Sequence, residues 1–196
     1  MPRYIDHDQR RRDVVAAATD LVVTSGRAAL TIRNVAEAVG SSTKSVSHYF
    51  ADMAELLQAT YAAAADRARS RIDAVIASDL SDIQGFVEAL LPLDVERRRD
   101  WSVWFAFWSE ALTSDELSAD QRERSRTTTA RIERMLKRLR ADQRIDPSCD
   151  VADAARRIGA LIPGIAGQAM FDPAGWSPAR QRAIVAGELR LIGIHP

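Results

Sequence analysis

Cysteine is almost missing from this chain: Cys149 is its one thiol. A single cysteine closes no internal disulfide, so the fold must rest on its core, as suits a reducing compartment. No thiol-enzyme signature surrounds Cys149, and His7, His48 and His195 are scattered without metal-ligand spacing. Lysine is scarce as well, standing only at 44 and 137, and almost every basic residue is arginine. Neither sign of charge is in excess, with 27 Lys and Arg against 27 Asp and Glu. Bulk charge therefore gives no argument for a nucleic-acid partner, and such an argument has to come from local residues. Long apolar runs are missing too. The charge-free stretch 158–171 is shorter than the ~20 residues a bilayer needs, and it carries Pro163 with Gly159, Gly164 and Gly167. The N-terminus reads MPRYIDHD, charged early and without the apolar stretch of a signal peptide. These absences predict a soluble cytoplasmic protein with no membrane partner, no metal and no cofactor.

What is present is a globular composition, 46% hydrophobic and 28% charged, with helical periodicity throughout. No β-branched alternation is long enough for a strand. Glycine, proline and capping residues cut the chain into about nine helices, an all-α fold. Helix one covers about 9–25 and stops at Gly26. Thr31 caps helix two, which Gly40 ends, and Ser42 caps helix three at 43–49. Asp52 caps a long helix four reaching about 77. Ser81 starts helix five, which Pro92 closes. Helix six covers about 95–112, helix seven about 118–143, and helix eight about 150–170. Ser177-Pro178 opens helix nine, the usual order of cap and first helical proline. The one plausible boundary falls at helix four: residues 1–52 form a three-helix unit and 53–196 a larger helical domain.

Helices two and three, joined by Gly40-Ser41-Ser42, have the shape of a helix-turn-helix. Val46 faces back to the core, and this leaves Thr43, Lys44, Ser45, Ser47 and His48 outside, with Ser42 at the cap. A recognition helix places such small polar and basic side chains in the major groove. Any small helical hairpin shows a similar pattern, so periodicity alone leaves a plain structural role open.

The residues themselves go further. Leu30-Thr31-Ile32-Arg33-Asn34-Val35-Ala36, Gly40, Val46, His48-Tyr49-Phe50 and Leu56-Leu57 resemble the signature of the TetR family of transcription regulators, over about residues 10–57. The nine-helix layout downstream is similar as well. The resemblance implies a homodimeric repressor that binds an operator through this N-terminal unit. A small-molecule inducer, whose identity it leaves open, would release it through the larger ligand-binding and dimerisation domain. It implies phosphate contacts from Thr31 and Tyr49 and further backbone contacts from Ser47 and His48. Arg33, Thr43, Lys44 and Ser45 would read base edges, as their chemistry allows. Tyr49 is equally readable as a core aromatic, and Arg33 as a solvated charge. The family's common lysine at the start of helix four is Met53 here, which should lower the salt dependence by ~1 unit. Arg10, Arg11 and Arg12 offer either a compensating basic arm or a plain solvated run. As in the family, helices eight and nine should build the dimer. Ile158, Leu161, Ile165, Leu189 and Ile192 would supply apolar area, and Gly164 and Gly167 would allow close approach.

In the larger domain Trp101, Trp104, Phe105 and Trp108 fall on one helical face. They either fill a core or wall a ligand pocket. The segment also resembles the BetI-like branch of the family, which senses choline and carries a similar aromatic helix six and the same Ser47-His48-Tyr49-Phe50 run. Choline would need an aromatic cage, and the nearby Glu88 and Glu110 are not on the aromatic face. No phosphate loop, nucleophile elbow or catalytic carboxylate pair points to an enzyme. A helical interaction module without DNA binding remains the other alternative.

Overall fold

The computed structural model describes residues 7–194, so the readings placed on residues 1–6 and on His195 lie outside the described residues. Nine α-helices follow one another among the described residues: α1 (His7–Ser25), α2 (Ile32–Ala38), α3 (Thr43–Tyr49), α4 (Met53–Ser78), α5 (Ile83–Leu90), α6 (Val95–Ala111), α7 (Asp115–Ala141), α8 (Val151–Phe171) and α9 (Pro178–Leu191). A 3₁₀ turn, Arg27–Ala29, links α1 to α2. No helix among the described residues is long and apolar enough to cross a membrane.

Side-chain caps set most of the helix starts. Thr31 Oγ1 accepts from the Asn34 N–H at 3.1 Å, and Ser42 Oγ from the Ser45 N–H at 3.1 Å. Asp52 Oδ1 accepts from the Glu55 N–H at 2.8 Å while Glu55 Oε2 reaches back to the Ala51 N–H at 2.8 Å. That reciprocal pair satisfies two donors the helix cannot use itself. Gly40 stands at φ +61° and ends α2. Its N–H donates to the Glu37 carbonyl, and Ser41 N–H donates to Ala36 at 2.8 Å, the double bond of a Schellman turn. A β-carbon at this φ would be strained, so the turn between the two short helices depends on glycine.

Two starts differ from expectation for visible reasons. Asp79 Oδ1 takes both the N–H and the hydroxyl of Ser81, so Asp82 caps α5 instead, accepting from the Gly85 N–H. Helix α7 begins at Asp115 under a Ser114 cap, earlier than the expected 118. Asp115 and Glu116 suit the positive end of its dipole.

One connected core runs the length of the molecule. Val14, Ala18, Val35, Val46 and Phe50 close the three-helix unit, and Leu56 and Leu57 of α4 plug into it. Helix α4 then continues against α5 and α6, and α7 packs along α8. Helix α6 is the junction. Its Arg99 pairs with Asp20 of α1, and its Glu110 with Arg27 at 3.0 Å. Its Asp100 is fully buried between Arg67 and Arg71 of α4.

Candidate functional site

Three features stand apart from the core: an exposed polar face on α2–α3, a wide cleft of about 1080 Å³ lined by charged side chains of α1, α4 and α7, and a smaller, aromatic cavity among the later helices. On α3, burying Val46 and Phe50 turns Thr43, Lys44, Ser47 and His48 outward, while Ser45 is half-buried. Arg33 of α2 is exposed beside them. Neither Arg33 nor Lys44 has an ion-pair partner among the described residues. Thr31 and Ser42 spend their oxygens as acceptors in the two caps, which leaves each hydroxyl proton free to donate to a phosphate. Tyr49 resolves between its two readings as half of each. Its ring is half-buried, and its hydroxyl lies 3.4 Å from His7 Nδ1 at the surface. The His48 ring stands edge-on to it at 5.4 Å.

The three arginines read as a basic arm form no free arm. Arg10, Arg11 and Arg12 lie inside α1 rather than on a free arm. Arg11 stacks on the Phe50 ring at 4.5 Å and approaches Glu55 at 3.5 Å, and Arg12 donates to Gln9. Met53 is half-buried against the core, so no ammonium stands at the start of α4.

The cavity holds about 500 Å³ between α4, α5, α6, α7 and α8. Trp101, Trp104 and Trp108 line it, and Trp101 and Trp104 are at the same time buried members of the core, so both readings of that helical face have support. Phe105 does not line it. Its ring tip lies 4.0 Å from the place a β-carbon on Gly167 would take, so it fills the α6–α8 contact. Gly167 is thus engaged within the chain. Tyr61 and Phe86 also line the cavity, and helix periodicity gave no reason to separate them from ordinary core residues. Burial pushes the Tyr61 pKa up, with the nearby Arg124 charge opposing, so the hydroxyl stays protonated and donates to Gln121 Oε1 at 3.0 Å. Glu88 and Glu110 are spent elsewhere, on Arg182 and Arg27. Burial also pushes the Cys149 thiol up, which makes its thiolate scarce at neutral pH.

The expected dimer residues separate into two sets. Ile158, Ile165, Leu189 and Ile192 are buried in the protomer's own core and have no area left for a partner. The cause is the broad apolar circumference of α8, whose inner side packs on α7. Leu161 and Gly164 lie instead on the outer stripe Arg157, Leu161, Gly164, Gln168, Phe171, spaced at helical repeats. A matching stripe on α9 carries Ile184, Gly187 and Leu191. Phe171 and Leu191 are 87% and 78% exposed. A β-carbon on Gly164 would meet nothing within 4 Å.

Comparison with known proteins places this arrangement. Residues 14–60 match the family described as bacterial regulatory proteins, tetR family. Residues 79–193 match the BetI-type transcriptional repressor C-terminal domain. The HTH-type transcriptional regulator PksA of Bacillus subtilis (strain 168) is 26% identical over 198 residues, spanning 100% of this chain and 95% of its own. The regulator BetI of Burkholderia mallei (strain NCTC 10229) is 28% identical over 184 residues, 84% of each chain. Among solved structures, a transcriptional regulator from Rhodococcus sp. Rha1 superposes with a TM-score of 0.82 at 24% identity, over 93% of this chain and 95% of that one. A transcriptional regulator from Saccharomonospora viridis in complex with choline superposes with a TM-score of 0.77 at 22% identity, over 96% and 100%.

Proposed function

The chain belongs to the TetR family of DNA-binding transcription regulators, with a BetI-type C-terminal domain, and we propose that it acts as a homodimeric repressor released from a palindromic operator by a small molecule. Residues 1–52 would be the reading head and 53–196 the ligand-binding and dimerisation domain.

The observation that carries the reading is the outward face of α2–α3. Arg33 and Lys44 are exposed and unpaired there among hydroxyl side chains, on two short helices held by their caps and by the Gly40 turn. In a neutral protein, cations left without partners on one recognition surface are suited to an external polyanion. Lys44 is assigned to a base edge, with Arg33, Thr43 and Ser45 beside it. Thr31, Ser42, Ser47, His48 and Tyr49 are assigned to the backbone. Lys44→Ala is expected to cost ~1–3 kcal/mol of specific binding and to relax base preference at one position. Competition binding against a panel of single-base operator variants checks this. An equal loss on every duplex would make Lys44 a phosphate contact.

The outer stripes of α8 and α9 support the dimer, since exposed Phe171 and Leu191 flank glycines that permit close helix approach. One three-helix head reads few bases, and two heads on a two-fold axis read an inverted repeat.

Release needs a path from cavity to head, and the ion pairs of α6 supply it. Trp101, Trp104 and Trp108 wall the cavity, while Asp100, Arg99 and Glu110 of the same helix hold α4, α1 and the 3₁₀ turn. A ligand that shifts α6 therefore acts on α1 and α4 together. A few kcal/mol of differential affinity between the two arrangements suffices to empty the operator.

A further inference from the structure

We propose that the effector cavity takes an amphipathic anion, a flat apolar body bearing one carboxylate, rather than a quaternary ammonium. The proposal rests on the reading of this cavity as the effector site.

Four arginines line the cavity, Arg69, Arg124, Arg131 and Arg156, against two carboxylates, Asp120 and Glu123. Both carboxylates already have cations beside them. Asp120 pairs with Arg124 at 3.2 Å, and Glu123 lies 4.0 Å from Arg126. Arg131 and Arg156 have no ion-pair partner among the described residues. The charge without a mate at this cavity is therefore positive.

The aromatic surface leads to the same conclusion. A quaternary ammonium is held by open ring faces. The Tyr61 face is already covered by the Arg124 guanidinium, 4.5 Å above it. Trp101 and Trp104 pack edge to face at 4.8 Å, as do Trp101 and Trp108 at 5.7 Å. Such packing spends ring faces on ring edges, and an indole edge carries the positive end of the quadrupole.

A third observation calls for an acceptor. The Trp101 N–H donates to the Leu90 carbonyl at 2.8 Å. The Trp104 N–H is buried with no acceptor, although Trp104 lines the cavity. A buried donor left unmade is costly, and a ligand oxygen would satisfy it after a small shift of the indole that opens the N–H to the cavity. Thr127, Thr128 and Thr129 of α7 add hydroxyls to the same wall. The cavity volume is within the range that ligands of modest size fill.

The test titrates the full chain with 4-phenylbutyrate, its uncharged amide, phenyltrimethylammonium and choline, read by tryptophan fluorescence and by thermal shift. The carboxylate is expected to bind at least about tenfold tighter than the amide. That preference should vanish in the Arg131→Gln/Arg156→Gln variant, which keeps its fold because both side chains are without partners. Trp104→Phe, which removes the N–H and keeps an apolar ring, should narrow it as well. A preference that survives the double arginine variant overturns the proposal. Binding of either ammonium compound with no carboxylate preference also overturns it, but leaves the effector-site reading standing. Silence from all four probes overturns both.

Discussion

Gly164→Glu is expected to leave each protomer folded and to weaken operator binding by about 10²–10⁴-fold, the range by which linking two modest contacts exceeds either alone. Gly164 sits mid-way along the outer stripe of α8, exposed, and a β-carbon there touches nothing in its own chain. Within the protomer the change replaces glycine by a good helix former, which stabilises a helix interior by up to ~1 kcal/mol. In a dimer closed through α8 and α9 the same carboxylates would lie across the two-fold axis between Leu161 and Phe171. Burying like charges there, without partners, opposes association. Sedimentation velocity and thermal melts separate the two effects: a folded monomer that melts cooperatively at a midpoint independent of protein concentration, and binds DNA poorly, is the expected pair of results. An undiminished dimer would move the interface off this stripe.

The second large effect concerns Asp100. Asp100→Ala is expected to cost about 3 kcal/mol, the low end for breaking a buried ion pair. Oδ1 of Asp100 accepts from Arg67 Nε at 2.8 Å and pairs with its Nη2 at 2.6 Å, and Oδ2 accepts from Arg71 Nη2 at 2.9 Å. Arg71 Nε also donates to the Ala89 carbonyl of α5 at 3.1 Å, so one carboxylate holds three helices in register. The low end applies because both arginines keep partial access to water, their side chains being 41% and 25% exposed. In a chain of this length the loss corresponds to a fall in Tm of roughly 6–12 °C. Asp100→Asn, which keeps the shape and loses the charge, should fall between. A loss well under 1 kcal/mol would put the cluster with ordinary solvated surface pairs.

Much of this architecture was legible before any coordinates, because it is written in local chemistry. Thr31, Ser42, Asp52 and Ser177 each cap the helix expected of them, and Gly40 ends α2 with a positive φ. Those signals need only a few neighbouring residues. The failures come where tertiary packing chooses among equivalents. Helix α8 is apolar around much of its surface, so periodicity could not say that Ile158 and Ile165 turn inward while Leu161 turns out. Phe105 shares a helical face with three tryptophans, yet the neighbouring Gly167 makes room for its ring against α8, outside the cavity. The charge on the outer side of α7 gives no sign in sequence that Arg131 and the neighbouring threonines wall the cavity. Ser81 reads as the start of helix five, and the competing Asp79 carboxylate explains why that helix begins later, under Asp82.

The central claim is that two identical heads, held apart by one rigid scaffold, read DNA together. Selecting bound duplexes from a random-sequence pool with the intact chain tests it most directly. The account predicts enrichment of an inverted repeat with one fixed spacing between its halves. A single unrepeated motif, or a bound pool no different from the input, would contradict it.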